Sequence, residues 1–286
     1  MKRKLILLVM TCQLSFGYVF GQGWSQKKNE GFFKLGQNII VSDQYYSPDG
    51  TVTDIRTTGV FSTHIYGELG LGKNWTVIGN IPFFASNTLN GIKFNQSGNE
   101  IPSDRLGAFG DIDLAVKYGW FQDKGVVLGT TLLFGIPTGT IGGGESGILQ
   151  TGDGEFNQMF RADLSFSLYP VPVYFSTYAA LNNRTRDFSD EFRYGFDLGY
   201  FDKGLLVAFH LNAVNSFFNG SAENVNNGIF SNNMEFIQPS IEVAYSLKAG
   251  WGVSTYVNYF FQGQNVLKGA GYGIGIFYKL ENKNKQ

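Results

Sequence analysis

His64 and His210 are the only two histidines in this 286-residue chain, and so its only side chains with an unperturbed pKa near neutrality. His64 stands among Ser62, Tyr66 and Glu68 at every second position, and His210 is followed two residues later by Asn212. A hydrolase needs a histidine beside a nucleophile and a carboxylate at an accessible rim, and the Ser62, His64 and Glu68 set is the nearest approach to one. His64 falls well inside its segment, however, and no Gly-x-Ser-x-Gly elbow occurs anywhere. A hydrogen-bonding histidine is the simpler reading, and the chain is not expected to be an enzyme. Two histidines and a single cysteine argue against a transition-metal site. The run Gly142, Gly143, Gly144 lacks the Lys-Ser/Thr of a phosphate loop, and Asp153-Gly154-Glu155 lacks the spaced oxygens of a calcium loop. No cofactor is implied.

The remaining charges share the period of two. Asp111, Asp113 and Lys117 alternate with Ile112, Leu114, Val116 and Tyr118, while Arg161 and Asp163, then Glu191, Arg193 and Asp197, and finally Glu242 lie in segments of the same kind. Successive side chains of a strand point to opposite faces, so such a segment borders hydrocarbon on one side and water on the other. His64, Glu68, Asp111, Asp113, Lys117, Arg161, Asp163, Glu191, Arg193, Asp197, His210 and Glu242 are therefore the candidate lumen-lining residues, with polar company from Ser165, Ser176, Tyr178, Gln238, Ser240, Tyr256, Asn258 and Gln262. Both signs of charge are present. The favoured reading is that they pair across a narrow lumen and hold the wall together; the sharper one makes them rungs of a solute path.

Twelve strands supply these faces, near residues 31–46, 52–71, 74–85, 109–121, 125–136, 156–169, 172–182, 191–201, 205–215, 235–247, 251–262 and 269–280. Every second connection is tight, as at Gly72-Lys73, Asp202-Lys203-Gly204 and Lys248-Ala249-Gly250, and three of the others, 86–108, 137–155 and 216–234, are long and polar. Trp75, Tyr118, Trp120, Tyr169, Tyr200, Tyr245, Trp251 and Tyr278 gather at the tight-turn ends as a girdle, with Phe83, Phe160, Phe192, Tyr259 and Phe261 at the other rim. The expected fold is an all-β, transmembrane, antiparallel up-and-down barrel of twelve strands in a bacterial outer membrane. A secreted β-sandwich would also alternate, but its connections need not alternate in length. Pro239 removes a ladder donor and implies a bulge or an outer-rim position. Twelve strands leave a narrower lumen than about 16–18 do, so side chains, an infolded 137–155 loop or the leading residues 22–30 are expected to fill much of it.

Lys2, Arg3 and Lys4, the apolar stretch 5–10 and Val19-Phe20-Gly21 read as an export signal over 1–21, leaving 22–286 as a single barrel domain. Cys12 leaves with the signal, so the exported chain has no thiol. Losing three of 22 basic residues against 23 acidic ones leaves a modestly acidic protein with no basic cluster for nucleic acid. Charged residues make up only 16 % and aromatics another 16 %, a balance suited to a membrane barrel.

Gly110-Asp111-Ile112, Lys117-Tyr118, Gly135-Ile136-Pro137-Thr138-Gly139 and Tyr66-Gly67-Glu68-Leu69-Gly70-Leu71 give the chain a look similar to the outer-membrane barrel family named for the meta-pathway of phenol degradation. That resemblance implies the broad group of hydrophobic-compound and long-chain fatty acid channels, with passive uptake of small hydrophobic or amphipathic solutes. The amino-terminal hatch and Asn-Pro-Ala element of the fatty acid channels are absent, so their gating does not carry over. The competing expectation is a sealed structural or interaction barrel that presents its long loops. Membrane lipid and a small solute are the partners implied; the sequence fixes no oligomeric state.

Overall fold

The computed structural model describes residues 23–185, 188–217 and 233–282. The export signal, most of the 216–234 loop and the end of the charged tail lie outside them. Twelve long strands make the wall: β1 (Gly31–Tyr46), β2 (Val52–Gly72), β3 (Trp75–Leu89), β4 (Ile112–Trp120), β5 (Val126–Ile136), β6 (Asn157–Ser167), β7 (Val173–Arg184), β8 (Glu191–Asp202), β9 (Leu205–Ser216), β10 (Glu235–Ser246), β11 (Trp251–Tyr259) and β12 (Ala270–Leu280). Each pairs antiparallel with its chain neighbour, and β1 pairs with β12 from Gly31↔Leu280 to Ile40↔Gly271, which closes the barrel. No helix is long and apolar enough to cross a membrane, so the strands do the crossing.

The tight turns owe their shape to residues held at positive φ. Lys73 and Asn74, at 50° and 65°, join β2 to β3, and Lys203 with Gly204, at 49° and 88°, joins β8 to β9. Two successive left-handed residues match the twist of the flanking strands. All such turns lie at one end, with both ends of the wall; the long connections occupy the other. Trp75, Tyr118 and Trp120 stack at the turn end, with ring centroids 4.8 and 4.6 Å apart, and Trp251 meets Tyr278 at 5.0 Å.

Leu35, Ile65, Leu114, Leu132, Leu164, Leu198, Val243 and Ile274 are exposed on the outer wall, while the residues alternating with them are buried. An outer surface this apolar is stable only against hydrocarbon. The chain is thus a transmembrane β-barrel of the outer-membrane type.

The 86–108 segment departs from its reading as a loop. β3 continues to Leu89, and the short strand Asp104–Ala108 pairs with it from Ala85↔Ala108 to Leu89↔Asp104. A second small ladder joins Ile92 to Ile101 and Lys93 to Glu100. Direct pairing of β3 with β4 covers only Trp75↔Tyr118 to Asn80↔Asp113. Pro82 offers no donor there, and its carbonyl accepts from Gly110 N–H instead, at 2.8 Å. Pro239 occupies a similar break. Its ladder with β9 is continuous, but pairing on the other side shifts by one residue between Ser240↔Asn258 and Ile237↔Gln262. Gln262 consequently stands exposed on a short rim strand, Gln262–Gln264, and not on the inner face of β11.

Candidate functional site

Lys34 of β1 and Glu242 of β10 are not on neighbouring strands, yet their Nζ and Oε1 atoms lie 3.3 Å apart. Such a contact spans β11 and β12 and requires both side chains to point inward. It is possible because β12 faces the interior with Gly271, Gly273 and Gly275: the Lys34 stem crosses Gly275, the Tyr256 ring covers Gly273, and Asn258 accepts from Gly271 N–H at 3.1 Å. From Glu242 the chain of charges continues to His210, with Oε2 3.6 Å from Nε2, and then to Asp197, 2.6 Å from Nδ1. One line of ionisable groups thus links β1, β10, β9 and β8.

On the opposite wall, Arg161 forms a two-toothed pair with Asp163, with nitrogen–oxygen distances of 2.6 to 3.0 Å, and its guanidinium lies 3.8 Å above the Tyr178 ring. Lys117 of β4 lies 3.8 Å from Glu68 of β2, which also accepts from Gln26 at 3.0 Å and from Tyr66. Nearer the loop end, Arg184 bridges Asp153 at 2.7 Å and Glu191 at 3.3 Å, and Glu191 also pairs with Arg193. Glu68, Lys117 and Asp163 have no measurable exposure, and Arg161 and Asp197 almost none. Charges this deep need their partners, because an unpaired one costs several kcal/mol of lost hydration.

Apolar groups fill the space between. One buried cluster joins Phe32, Tyr66, Ile78, Leu133, Met159, Tyr174, Leu206 and Phe277; another, at the loop end, joins Ile40, Tyr45, Tyr46, Val214, Phe236 and Phe260. Two segments outside the wall complete the filling. Residues 23–30 run across the turn end: Gly23 N–H donates to Ser165 at 2.9 Å, Ser25 N–H to Gln122 at 2.8 Å and Gln26 N–H to Thr76 at 2.8 Å, and the Trp24 ring meets Tyr174 edge-on at 6.2 Å. A Cβ on Gly129 would sit 2.8 Å from the Gly23 Cα, so glycine there is what lets this strap lie flat.

The 137–155 loop closes the other end. Asp111 accepts from Gly139 N–H at 2.8 Å and Asp153 N–H at 2.9 Å; Asp104 accepts from Glu145 and Ser146 N–H, both at 2.9 Å. Leu149 is fully buried by this docking, and the inward Asn87 bonds the Gln150 carbonyl. Hydrogen bonds from the Ser146 hydroxyl and from the Ser146 and Glu145 N–H groups hold the Asp104 carboxyl down at about 2. Burial, helped by the charge of Asp153, pushes Asp111 up to about 6.

His64 and Asp113 are brought into no such pair. His64 packs over Gly36, and its Nε2 has no hydrogen-bond partner among the described residues; Asp113 has only a 3.5 Å contact from Asn80, leaving Oδ1 without one. Thr131 Oγ1, both amide atoms of Gln238, Ser254 Oγ and Tyr256 OH are likewise buried, with no hydrogen-bond partner among the described residues. Among the described residues, no serine, carboxylate and histidine converge at His64. Lys34, Arg184, Asp104 and Asp153 join the constellation although spacing alone did not single them out. For Lys34 a signal existed, since it shares parity with Phe32, Asn38 and Ile40, all of them buried.

No protein-family model matches the chain, and no curated protein does. Among solved structures it is similar to an outer membrane channel from Pseudomonas putida F1, with a TM-score of 0.62 and 14 % identity over 92 % of this chain and 100 % of that one. The NanC porin gives a TM-score of 0.51 at 10 % identity, covering 87 % of this chain and 100 % of the porin. The β domain of the Bordetella autotransporter BrkA gives 0.50 at 13 % identity, covering 88 % and 99 %. At these identities the likeness concerns the fold, that of bacterial outer-membrane barrels.

Proposed function

We propose that the protein is a gated outer-membrane channel for passive uptake of small amphipathic solutes, held shut in this conformation. The observation that carries this reading is that the lumen is closed at both ends by segments that are not staves of the wall: residues 23–30 at the turn end and the 137–155 loop at the other, each docked on inward side chains. Apolar clusters beside the charged groups suit a solute with both characters. The motif resemblance to the phenol meta-pathway barrel family supports the same class of solute.

Both closing segments are attached by hydrogen bonds and ion pairs and lie outside the wall ladder, so they can leave without breaking the barrel. Planar-bilayer recordings and liposome permeation with small aromatic acids and alcohols test the reading. The full chain should give small, intermittent conductance, and deletion of residues 23–28 or 140–150 should raise both open time and permeation. Silence from all three proteins would instead favour a sealed barrel that presents its loops.

A further inference from the structure

Outside the lumen, the faces of β1, β2 and β3 frame a cleft of about 490 Å³ that the solute path does not use. Its lower part, at the level of the outer aromatic rim, is Gln37, Phe61 and Phe84; its upper edge is Asn90, Ser103 and Arg105. That volume lies within the range of about 300–1,000 Å³ typical of small-molecule sites. Phe84 is half-exposed with its ring toward the hydrocarbon side, and Arg105 extends from the short strand Asp104–Ala108 opposite Thr88.

Arg105 is held ready at this edge. Its Nε donates to Ser86 Oγ at 3.0 Å, which fixes the stem, and its two terminal nitrogens have no partner among the described residues. Asp104 borders the same cleft, but its carboxylate is engaged elsewhere: it accepts from Glu145 and Ser146 of the docked loop and from Arg105 N–H, and no ion pair joins it to the Arg105 guanidinium among the described residues. Arg56 stands at the same edge, bound to the Asn90 and Pro102 carbonyls at 2.8 and 2.7 Å, and adds positive charge. An apolar trough ending in an exposed guanidinium that has no ion pair among the described residues is complementary to an acylated anion.

We propose that this cleft binds a phosphorylated, acylated saccharolipid of the outer leaflet, with one acyl chain between Phe61 and Phe84 and a phosphate on the terminal nitrogens of Arg105. Guanidinium binds phosphate through two parallel hydrogen bonds, a geometry that a lysine at this edge would not reproduce. The proposal does not require the lumen to conduct.

The test titrates the purified full-length chain in detergent with hexa-acylated, bis-phosphorylated lipid A and follows complexes by native mass spectrometry. Wild type should bind one molecule, and removal of both phosphates from the probe should weaken binding by roughly tenfold or more, the worth of a charge-assisted hydrogen bond. Arg105→Gln and Arg105→Glu should lose affinity to the same extent while keeping the heat-modifiable migration of a folded barrel. Equal binding of the dephosphorylated probe to wild type overturns the proposal without any variant. Undiminished binding by both variants, or phosphatidylglycerol binding as tightly as lipid A, overturns it as well.

Discussion

Asp111 couples the outer loop to pH, and the sign of that coupling follows from its surroundings. In the docked loop its pKa is raised from 3.8 to about 6: burial, with the Asp153 charge, outweighs the Gly139 and Asp153 N–H donors, which favour the charged form. A carboxyl raised on docking favours the docked state once protonated, so its contribution is complete below pH 4 and is lost as pH rises through 6. The difference of about two units is worth up to about 3 kcal/mol, and solvent screening of this half-buried group reduces it to about 1–2 kcal/mol, or roughly 5- to 30-fold in the docked-to-open ratio. Asp104 lies too low to titrate in the same window. Acidification from pH 7.5 to 4.5 should therefore tighten the loop. The assay is thiol labelling of Leu149→Cys, buried when the loop is docked, relative to Ile148→Cys, which stays exposed and corrects for reagent chemistry. Protection of position 149 should rise on acidification, and Asp111→Asn should flatten the dependence. Protection that falls with acid, or an unchanged slope in Asp111→Asn, would refute the reasoning.

Other expectations follow from packing. Arg161→Ala strands Asp163 without its partner and should cost about 3–5 kcal/mol in urea unfolding from vesicles, whereas Arg161→Met with Asp163→Leu should recover most of it. Gly129→Val displaces the strap at Gly23 and should increase single-channel open time while wall stability changes little. Leu114→Lys or Val243→Lys on the lipid face should each cost about 2–4 kcal/mol of folding stability in bilayers, with the smaller values toward the interfaces.

Strand positions were legible because alternation is a local property: β1 spans the residues that parity alone assigns, and most other boundaries differ by one or two. The extension of β3 with Asp104–Ala108 was not, since its partner lies across a polar stretch that reads as loop and its pairing begins only after the break at Pro82. The inner-wall pairings were harder still. Parity orients His210 and Glu242 inward, but that Lys34 reaches Glu242 depends on barrel closure and on the glycine face of β12, neither of which spacing within one strand can express. The two capping segments were foreseeable as possibilities from length and composition. Their docking rests on hydrogen bonds to individual side chains, Ser165 and Thr76 at one end and Asp104 and Asp111 at the other, which carry no periodic mark.

The bare inner face of β12 also bears on how the cylinder comes together. The first and last staves can meet only when all the others are in place, and by then Tyr256, Asn258 and Lys34 already crowd the interior on either side. A stave presenting Gly271, Gly273 and Gly275 slides beneath those groups without forcing any aside, so the final seam can zip over contents that are already set.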